Sequence, residues 1–161
     1  MNKNTTNHPV FPRALSLPLK LIPSFIHSKA LVISLNKIFQ KDIEEGELDF
    51  LHKKSVRITI EDISIEYQFT LTEDKLTSCN KNQTADLFLS GTLYDYLLLA
   101  SRKEDADTLF FNRQLHMQGD TELGLYVKNF LDGLDVDSHK IPAYMESVIK
   151  KSLPIYENLF R

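Results

Sequence analysis

The sequence predicts an α+β fold in which a five-stranded sheet is covered on one face by helices. Apolar residues alternate with polar ones in short runs between residues 56 and 118, which is typical of strands with one buried face. Around these runs, apolar residues recur at spacings of three and four, which is typical of amphipathic helices. A sheet with one dry face needs helices to cover it, so the two patterns together describe one layered domain.

Composition places the chain among ordinary globular proteins. It has 161 residues, 42% of them hydrophobic and 25% charged, with a net charge of -3 and no Gly/Ser-rich or Pro-rich linker. The single cysteine, Cys79, excludes an intramolecular disulfide and favours a reducing compartment. We therefore expect a cytoplasmic protein.

The charge is unevenly distributed along the chain. Residues 1–41 carry six basic residues and no acid, a charge of +6, so the remaining residues carry 13 basic minus 22 acidic, or -9. This asymmetry predicts a basic, apolar N-terminal helical segment at 1–41 followed by the main domain at 42–161.

The same segment lacks the features of a targeting or spanning sequence. Pro18, Lys20, Pro23 and Lys29 interrupt its apolar run, which excludes a secretory signal and a membrane-spanning helix. We expect the N-terminus to be retained, with residues 1–8 disordered.

Two helices are predicted in this segment, at residues 13–21 and 24–41, separated by Pro23. The second is apolar nearly all round, so it is either buried against the domain or in contact with lipid or a partner. The candidate contacts with an anionic membrane surface, peripheral at the inner membrane, are Lys20, Phe25, Ile26 and Lys29.

The main domain begins with a connector at 44–54 that contains one helical turn. Five strands follow, at residues 56–60, 63–71, 75–80, 85–89 and 114–118. The first two form a hairpin with one dry face.

Helices surround the fourth and fifth strands. Thr92 and Asp95 have the spacing of a capping box and predict a helix that ends before a solvated charged turn at 103–107. Asp120 is placed to cap a second helix, whose apolar face carries Leu123, Val127, Phe130, Leu131 and Leu134. A loop is expected at 135–139, and then a last amphipathic helix that Pro154 kinks or stops.

Catalytic chemistry is not indicated. The five histidines show no metal-ligand spacing, and none pairs with Cys79 in the sequence. The run from Gly119 to Gly124 lacks the Lys and Ser/Thr that a phosphate loop needs. The acidic body disfavours nucleic acid. We predict no catalytic residue, metal or cofactor.

The sequence is rich in large apolar side chains, with ten Phe and six Tyr. A sheet covered by apolar helices either closes a solid core or encloses a pocket for a small ligand, and periodicity does not separate the two.

One long stretch resembles a known family. The string ADLFLSGTLYDYLLLASRKEDADTLFFNRQLHMQGDTELGLYVKNFLD, at residues 85–132, resembles the C-terminal half of sterol-carrier-protein type 2 domains. The stretch from Gly46 to Leu51 and the Leu-Pro-rich basic N-terminus are similar to the bacterial members that serve as accessory factors of oxygen-independent, anaerobic ubiquinone biosynthesis. The resemblance covers about residues 15 to 135. It implies a hydrophobic cavity under the sheet, no catalytic residues, an isoprenoid quinone intermediate or other lipid as ligand, and hydroxylating partners of the peptidase U32-like type.

The leading hypothesis is a non-enzymatic lipid carrier, and three alternatives stay open: an adaptor with a filled core, a general phospholipid or fatty-acyl carrier, and a lipid hydrolase. The predicted lipid-binding residues all lie on apolar faces of the sheet and helices: Phe69, Leu87, Leu89, Tyr94, Leu97, Leu98, Phe110, Phe111, Leu115, Met117, Leu123, Val127, Phe130 and Leu131.

Overall fold

The computed structural model of the chain describes residues 24–79, 82–133 and 143–160, together with Pro9 and Pro12. For 24–28 and for most of 143–149 it describes the backbone alone. The predicted helix at 13–21, the disorder predicted for 1–8 and the loop predicted at 135–139 lie outside the described residues.

Five strands and six α-helices make up the described chain. The strands are β1 (Ser55–Ile60), β2 (Ile65–Thr72), β3 (Lys75–Ser78), β4 (Leu87–Gly91) and β5 (His116–Gly119). The helices are α1 (Ser24–Ile38), α2 (Gln40–Glu44), α3 (Leu93–Ala100), α4 (Ala106–Phe111), α5 (Thr121–Gly133) and α6 (Ala143–Phe160), with a single 3-10 turn at Asp49–Leu51.

The strands form one mixed sheet in the order β3-β2-β1-β4-β5, which confirms the predicted α+β fold. β1 is parallel to β4, and all other neighbours are antiparallel. Register places Val56 beside both Phe69 and Leu87, so one face of the sheet is continuously apolar. On the opposite face, Arg57 donates to the Gln68 side chain at 2.7 and 3.1 Å.

Two predicted caps are present. Thr92 Oγ1 accepts from the N–H of Asp95, and Asp95 Oδ2 accepts from the N–H of Thr92 at 2.9 Å, which completes a capping box at the start of α3. Asp120 Oδ1 accepts from the N–H groups of Glu122 and Leu123 at 3.0 and 3.1 Å, so it begins α5 as the sequence predicts.

Several predicted boundaries are wrong. The helix expected at 24–41 is divided at Phe39 into α1 and α2. β2 begins at Ile65 because Ser64, with φ of 54°, belongs to a turn. The fourth strand runs two residues later than expected. β5 begins at His116 because the N–H groups of both preceding residues bind the carbonyl of Leu109.

The charged turn predicted at 103–107 contains the start of a helix that was not predicted from the sequence. Asp105 accepts from the N–H of Thr108 at 2.7 Å and caps α4. A helix of six residues is too short to show a period of its own. Pro154 was predicted to kink or stop the last helix; it lies inside α6, which continues to Phe160, so it does not stop the helix.

The buried side chains form two clusters. The first, here called the sheet core, lies between the apolar face of the sheet and helices α1 and α5. The second, here called the helical core, joins α3 and α4 to α6, whose Leu153 is 1% exposed and whose Tyr156 ring stacks on Tyr94 at 5.7 Å. Phe110 packs against both cores. Among the described helices, none has the length and apolar character needed to cross a bilayer.

Candidate binding cavity

A cavity of about 180 Å³ lies inside the sheet core. Its floor is the apolar face of the sheet, its roof is formed by α1 and α5, and the 3-10 turn, α3 and α4 complete the lining. The lining residues are Leu35, Phe39, Leu48, Phe50, Leu51, Val56, Ile58, Phe69, Leu89, Tyr96, Leu99, Phe110, Leu115, Val127, Phe130 and Leu131.

Helical periodicity builds the roof. In α5, Val127, Phe130 and Leu131 stand three and four residues apart and face the cavity together. The ring of Phe39, at the end of α1, meets the ring of Phe130 edge to face at 5.3 Å, and Phe50 lies 6.2 Å from the same ring. Three aromatic side chains from three elements therefore close this part of the roof.

Asn36 holds α1 over the cavity. Its side-chain amide donates to the carbonyl of Leu76 in β3 at 2.8 Å and accepts from the N–H of the same residue at 2.8 Å. This reciprocal pair joins the roof to an edge strand of the sheet. This pair was not predicted, although a single Asn on an apolar helix was a visible signal in the sequence.

The wall offers a ligand almost no polar group. Tyr96 is the one lining residue with a polar side chain, and its hydroxyl donates to the carbonyl of Thr59 at 3.4 Å. Burial raises the pKa of Tyr96, and the nearby charges of Glu61 and Asp95 raise it further, so the hydroxyl stays neutral. The cavity can bind apolar groups by removing them from water, and it presents no acid or base for catalysis.

The volume limits what the cavity holds. An engineered apolar cavity of about 150 Å³ accommodates one benzene molecule. A space of about 180 Å³ is therefore sufficient for one ring or a short length of chain. A longer lipid has to extend beyond this space.

Half of the predicted lipid-binding residues line this cavity: Phe69, Leu89, Phe110, Leu115, Val127, Phe130 and Leu131. The lining also includes residues that were not predicted to bind lipid, among them Leu35 and Phe39, which the sequence analysis places in an apolar helix, and Val56 and Ile58, which alternate in β1. Helical and strand periodicity was the signal available for these four.

The other seven predicted residues do not line this cavity, and a role for them in lipid binding stays a prediction. Leu87 and Leu123 are buried in the sheet core beyond the cavity, and Met117 is half-buried between β5 and α5. Tyr94, Leu97 and Leu98 belong to the helical core, because α3 turns that face toward α6.

Phe111 lies on the surface, away from the cavity. Its side chain is 89% exposed, because α4 turns the adjacent Leu109 and Phe110 inward and leaves the last residue of the helix in solvent.

The predicted membrane contacts stay predictions. Lys20 lies outside the described residues, Phe25 and Ile26 are described by their backbone alone, and Lys29 is exposed on α1.

A charged cluster beside the sheet has a structural role. Lys54 Nζ lies 2.8 Å from Asp120 Oδ2 and 3.9 Å from Asp86 Oδ1, and Asp86 also accepts from the N–H of Ser55 at 2.7 Å. The hydrogen bond from Lys54 lowers the pKa of Asp120, with help from the N–H of Leu123. The cluster joins the starts of β1, β4 and α5.

Cys79 lacks the environment of a nucleophile. Burial, and then the charge of Asp86, raise the pKa of its thiol, which leaves less of the reactive thiolate at neutral pH. Across the described part of the chain, no three His, Cys, Asp or Glu side chains are grouped so as to hold a metal ion.

Comparison with known proteins gives a consistent picture. The SCP-2 sterol transfer family matches residues 35–132. The ubiquinone biosynthesis accessory factor UbiT of Escherichia coli strain K12 is 39% identical over 126 residues, which are 78% of this chain and 72% of that protein, and UbiT of Escherichia coli O157:H7 matches equally well. Among solved structures, the UbiJ-SCP2 ubiquinone synthesis protein superposes with a TM-score of 0.55 over 66% of this chain and 89% of that one, at 16% identity, and so shares the fold.

Proposed function

The chain belongs to the SCP-2 sterol transfer family, in its UbiT-like group, and we propose that it is a non-enzymatic, lipid-binding accessory factor of ubiquinone biosynthesis. The observation that carries this proposal is the apolar cavity between the sheet and helices α1 and α5. Its wall suits a hydrocarbon chain, and its one hydroxyl, on Tyr96, is already bonded to the protein.

The proposed ligand is an isoprenoid quinone intermediate. Each Å² of prenyl surface removed from water contributes about 25 cal/mol to binding. The protein would present the bound intermediate to hydroxylating proteins of the peptidase U32-like type in the oxygen-independent pathway. A phospholipid or fatty-acyl ligand is the alternative within the same class, since the cavity itself distinguishes chains only by size.

We further propose that the protein works in the cytoplasm and meets the inner membrane through its basic N-terminal segment, where each Lys or Arg near an anionic surface contributes about 1 kcal/mol. Changing Lys20 and Lys29 together to Gln should weaken binding to anionic vesicles. Lys75→Gln, at the far edge of the sheet, is the matched control. Equal vesicle binding by all three proteins would contradict the membrane role.

Extraction tests the ligand proposal and identifies the lipid. The full-length protein is purified without detergent, and its bound lipids are measured by native and denaturing mass spectrometry. An isoprenoid quinone precursor that co-purifies near stoichiometry is the expected result. Protein that is free of lipid, and that takes up none from vesicles, would contradict the proposal.

The second candidate function is an adaptor that holds enzymes together. The outer face of α6 favours it, because Ile155 and Leu159 stand four residues apart and are 56% and 68% exposed. Changing both to Gln should abolish complex formation with the hydroxylases if the protein is an adaptor, and should leave lipid content unchanged.

A further inference from the structure

An open cleft of about 510 Å³ lies outside the cavity, between α4, β5 and α5. It is lined by Phe110, Arg113, Leu115, His116, Met117 and Lys128. Phe110 and Leu115 also line the cavity, so these two side chains form a partition shared by the apolar cavity and the open cleft.

The two side chains differ in how firmly they are held. Leu115 is 3% exposed, and its Cδ2 lies close against Gly91, at only 2.5 Å from where a Cβ on that glycine would be. Phe110 is half-buried near the end of the six-residue helix α4. Leu115 is therefore the more deeply buried side of the partition, and Phe110 is the less buried side.

The cleft is basic as well as partly apolar. Its lining contains three basic residues and no acidic one. Arg113 and His116 are both exposed. Lys128 Nζ lies 2.5 Å from Asp107 Oδ1, so its charge is already partly compensated. The guanidinium of Arg113, which lines the cleft together with the imidazole of His116, is the group best suited to meet an anion, since it can donate two parallel hydrogen bonds to a carboxylate or phosphate.

We propose that this cleft is the entrance to the cavity, and that it holds the anionic end of the ligand against Arg113 and His116 while the chain passes between Phe110 and Leu115. The inference rests on the proposed lipid-binding function and adds the ligand's polarity and its route. It also accounts for the small cavity volume, because a chain that exceeds the cavity of about 180 Å³ can continue into the cleft of about 510 Å³.

A set of matched amphiphiles tests the anionic end. The full-length, delipidated protein is titrated with a fluorescent long-chain polyene carboxylate, with the alkyl phosphate of the same chain, and with the corresponding alcohol. Arg113→Gln and His116→Gln should each weaken binding of the anionic probes, Arg113→Gln by about tenfold, the order expected for a charge-assisted hydrogen bond. Alcohol binding should be unchanged, and Lys75→Gln should change none of the three.

The results of these titrations distinguish the lipid-binding function from the anionic site. If the natural protein binds none of the probes, both the lipid-binding function and the entrance are refuted. If it binds all three, and Arg113→Gln either has no effect or weakens the alcohol equally, lipid binding stands and the anionic site is refuted. A larger loss for the phosphate than for the carboxylate identifies a phosphate end, and the reverse a carboxylate end.

Stopped-flow kinetics tests the route. Phe110→Ala and the milder Phe110→Leu should both speed uptake and release of the alcohol probe several-fold, because each removes part of the partition. Phe111→Ala is the matched control, since that neighbouring ring is 89% exposed and lines neither space. Unchanged rates in folded Phe110→Leu, or equal acceleration in Phe111→Ala, would overturn the entrance.

Discussion

Replacing Leu89 by phenylalanine tests whether the cavity is space that a ligand can occupy. Leu89 lies on the floor of the cavity in β4 and is 6% exposed. An unfilled volume of 180 Å³, at about 24 cal/mol per Å³, corresponds to roughly 4 kcal/mol of stability that the delipidated protein lacks. A larger side chain in this position should recover part of that free energy.

The expected gain follows from the atoms added. Phenylalanine places roughly three more carbon atoms in the cavity, which contribute about 2 kcal/mol at ~0.8 kcal/mol per methylene. Strain from imperfect fit costs about 1 kcal/mol. The delipidated Leu89→Phe protein should therefore be more stable by about 1 kcal/mol, and its Tm should rise by about 2–4 °C. Its lipid content should fall.

Leu71→Phe is the matched control. Leu71 faces the same side of the sheet and is 3% exposed, but it does not line the cavity. The added ring has no space there, and overpacking should cost about 1–3 kcal/mol. Urea unfolding and native mass spectrometry measure both quantities. If Leu89→Phe were destabilised as much as Leu71→Phe and still carried lipid, the cavity would not be the binding space.

Further substitutions test the cavity wall and the turn that begins α5. Val127→Asp puts a charge into the apolar wall, so it should lower the free energy of unfolding in urea by several kcal/mol and reduce the lipid content. Leu125→Asp, on the exposed side of the same helix, should do neither. Equal effects would show that the helix face is misassigned. Gly119→Ala should destabilise the fold by about 2–4 kcal/mol, because φ is +122° and the new methyl would collide with the carbonyl of the residue before β4. Gly133→Ala is the control and should be neutral or slightly stabilising, since a Cβ there has nothing within 4 Å. A neutral Gly119→Ala would refute the turn geometry. Asp120→Asn should lower the Tm at pH values above 3.8, the ordinary pKa of the carboxyl group. Because the pKa of Asp120 is lowered in the folded state, the difference in Tm from the natural protein should vanish as the pH falls through that lower pKa. A difference in Tm that does not depend on pH would contradict the ion pair.

Local signals in the sequence predicted local structure well. The alternation around Val56 and Phe69 gave the hairpin, and the side chains of Thr92 and Asp120 marked the starts of two helices that the structure confirms. These features depend on neighbouring residues, so the pattern that produces them is visible in one stretch of sequence. The family resemblance supplied the cavity, which periodicity alone left undecided.

Features that depend on distant contacts were the ones missed. The parallel pairing of β1 with β4 joins residues about 30 positions apart, and nothing within either strand specifies it. The exposure of Phe111 follows from a helix of one and a half turns whose cap was read as a solvated turn. Which apolar residues reach the cavity and which reach the helical core was decided by α6, which packs against α3 from far along the chain.

Photo-crosslinking with an isoprenoid quinone analogue that carries a diazirine on its tail tests the central claim most directly. After illumination of the full-length protein, peptide mapping locates the attachment points. We predict labels on the cavity wall, at residues such as Leu35 and Phe130, and their loss in Leu89→Phe. Labels confined to the exposed face of α6 around Ile155 and Leu159, and unchanged in Leu89→Phe, would contradict the claim that the cavity holds the lipid.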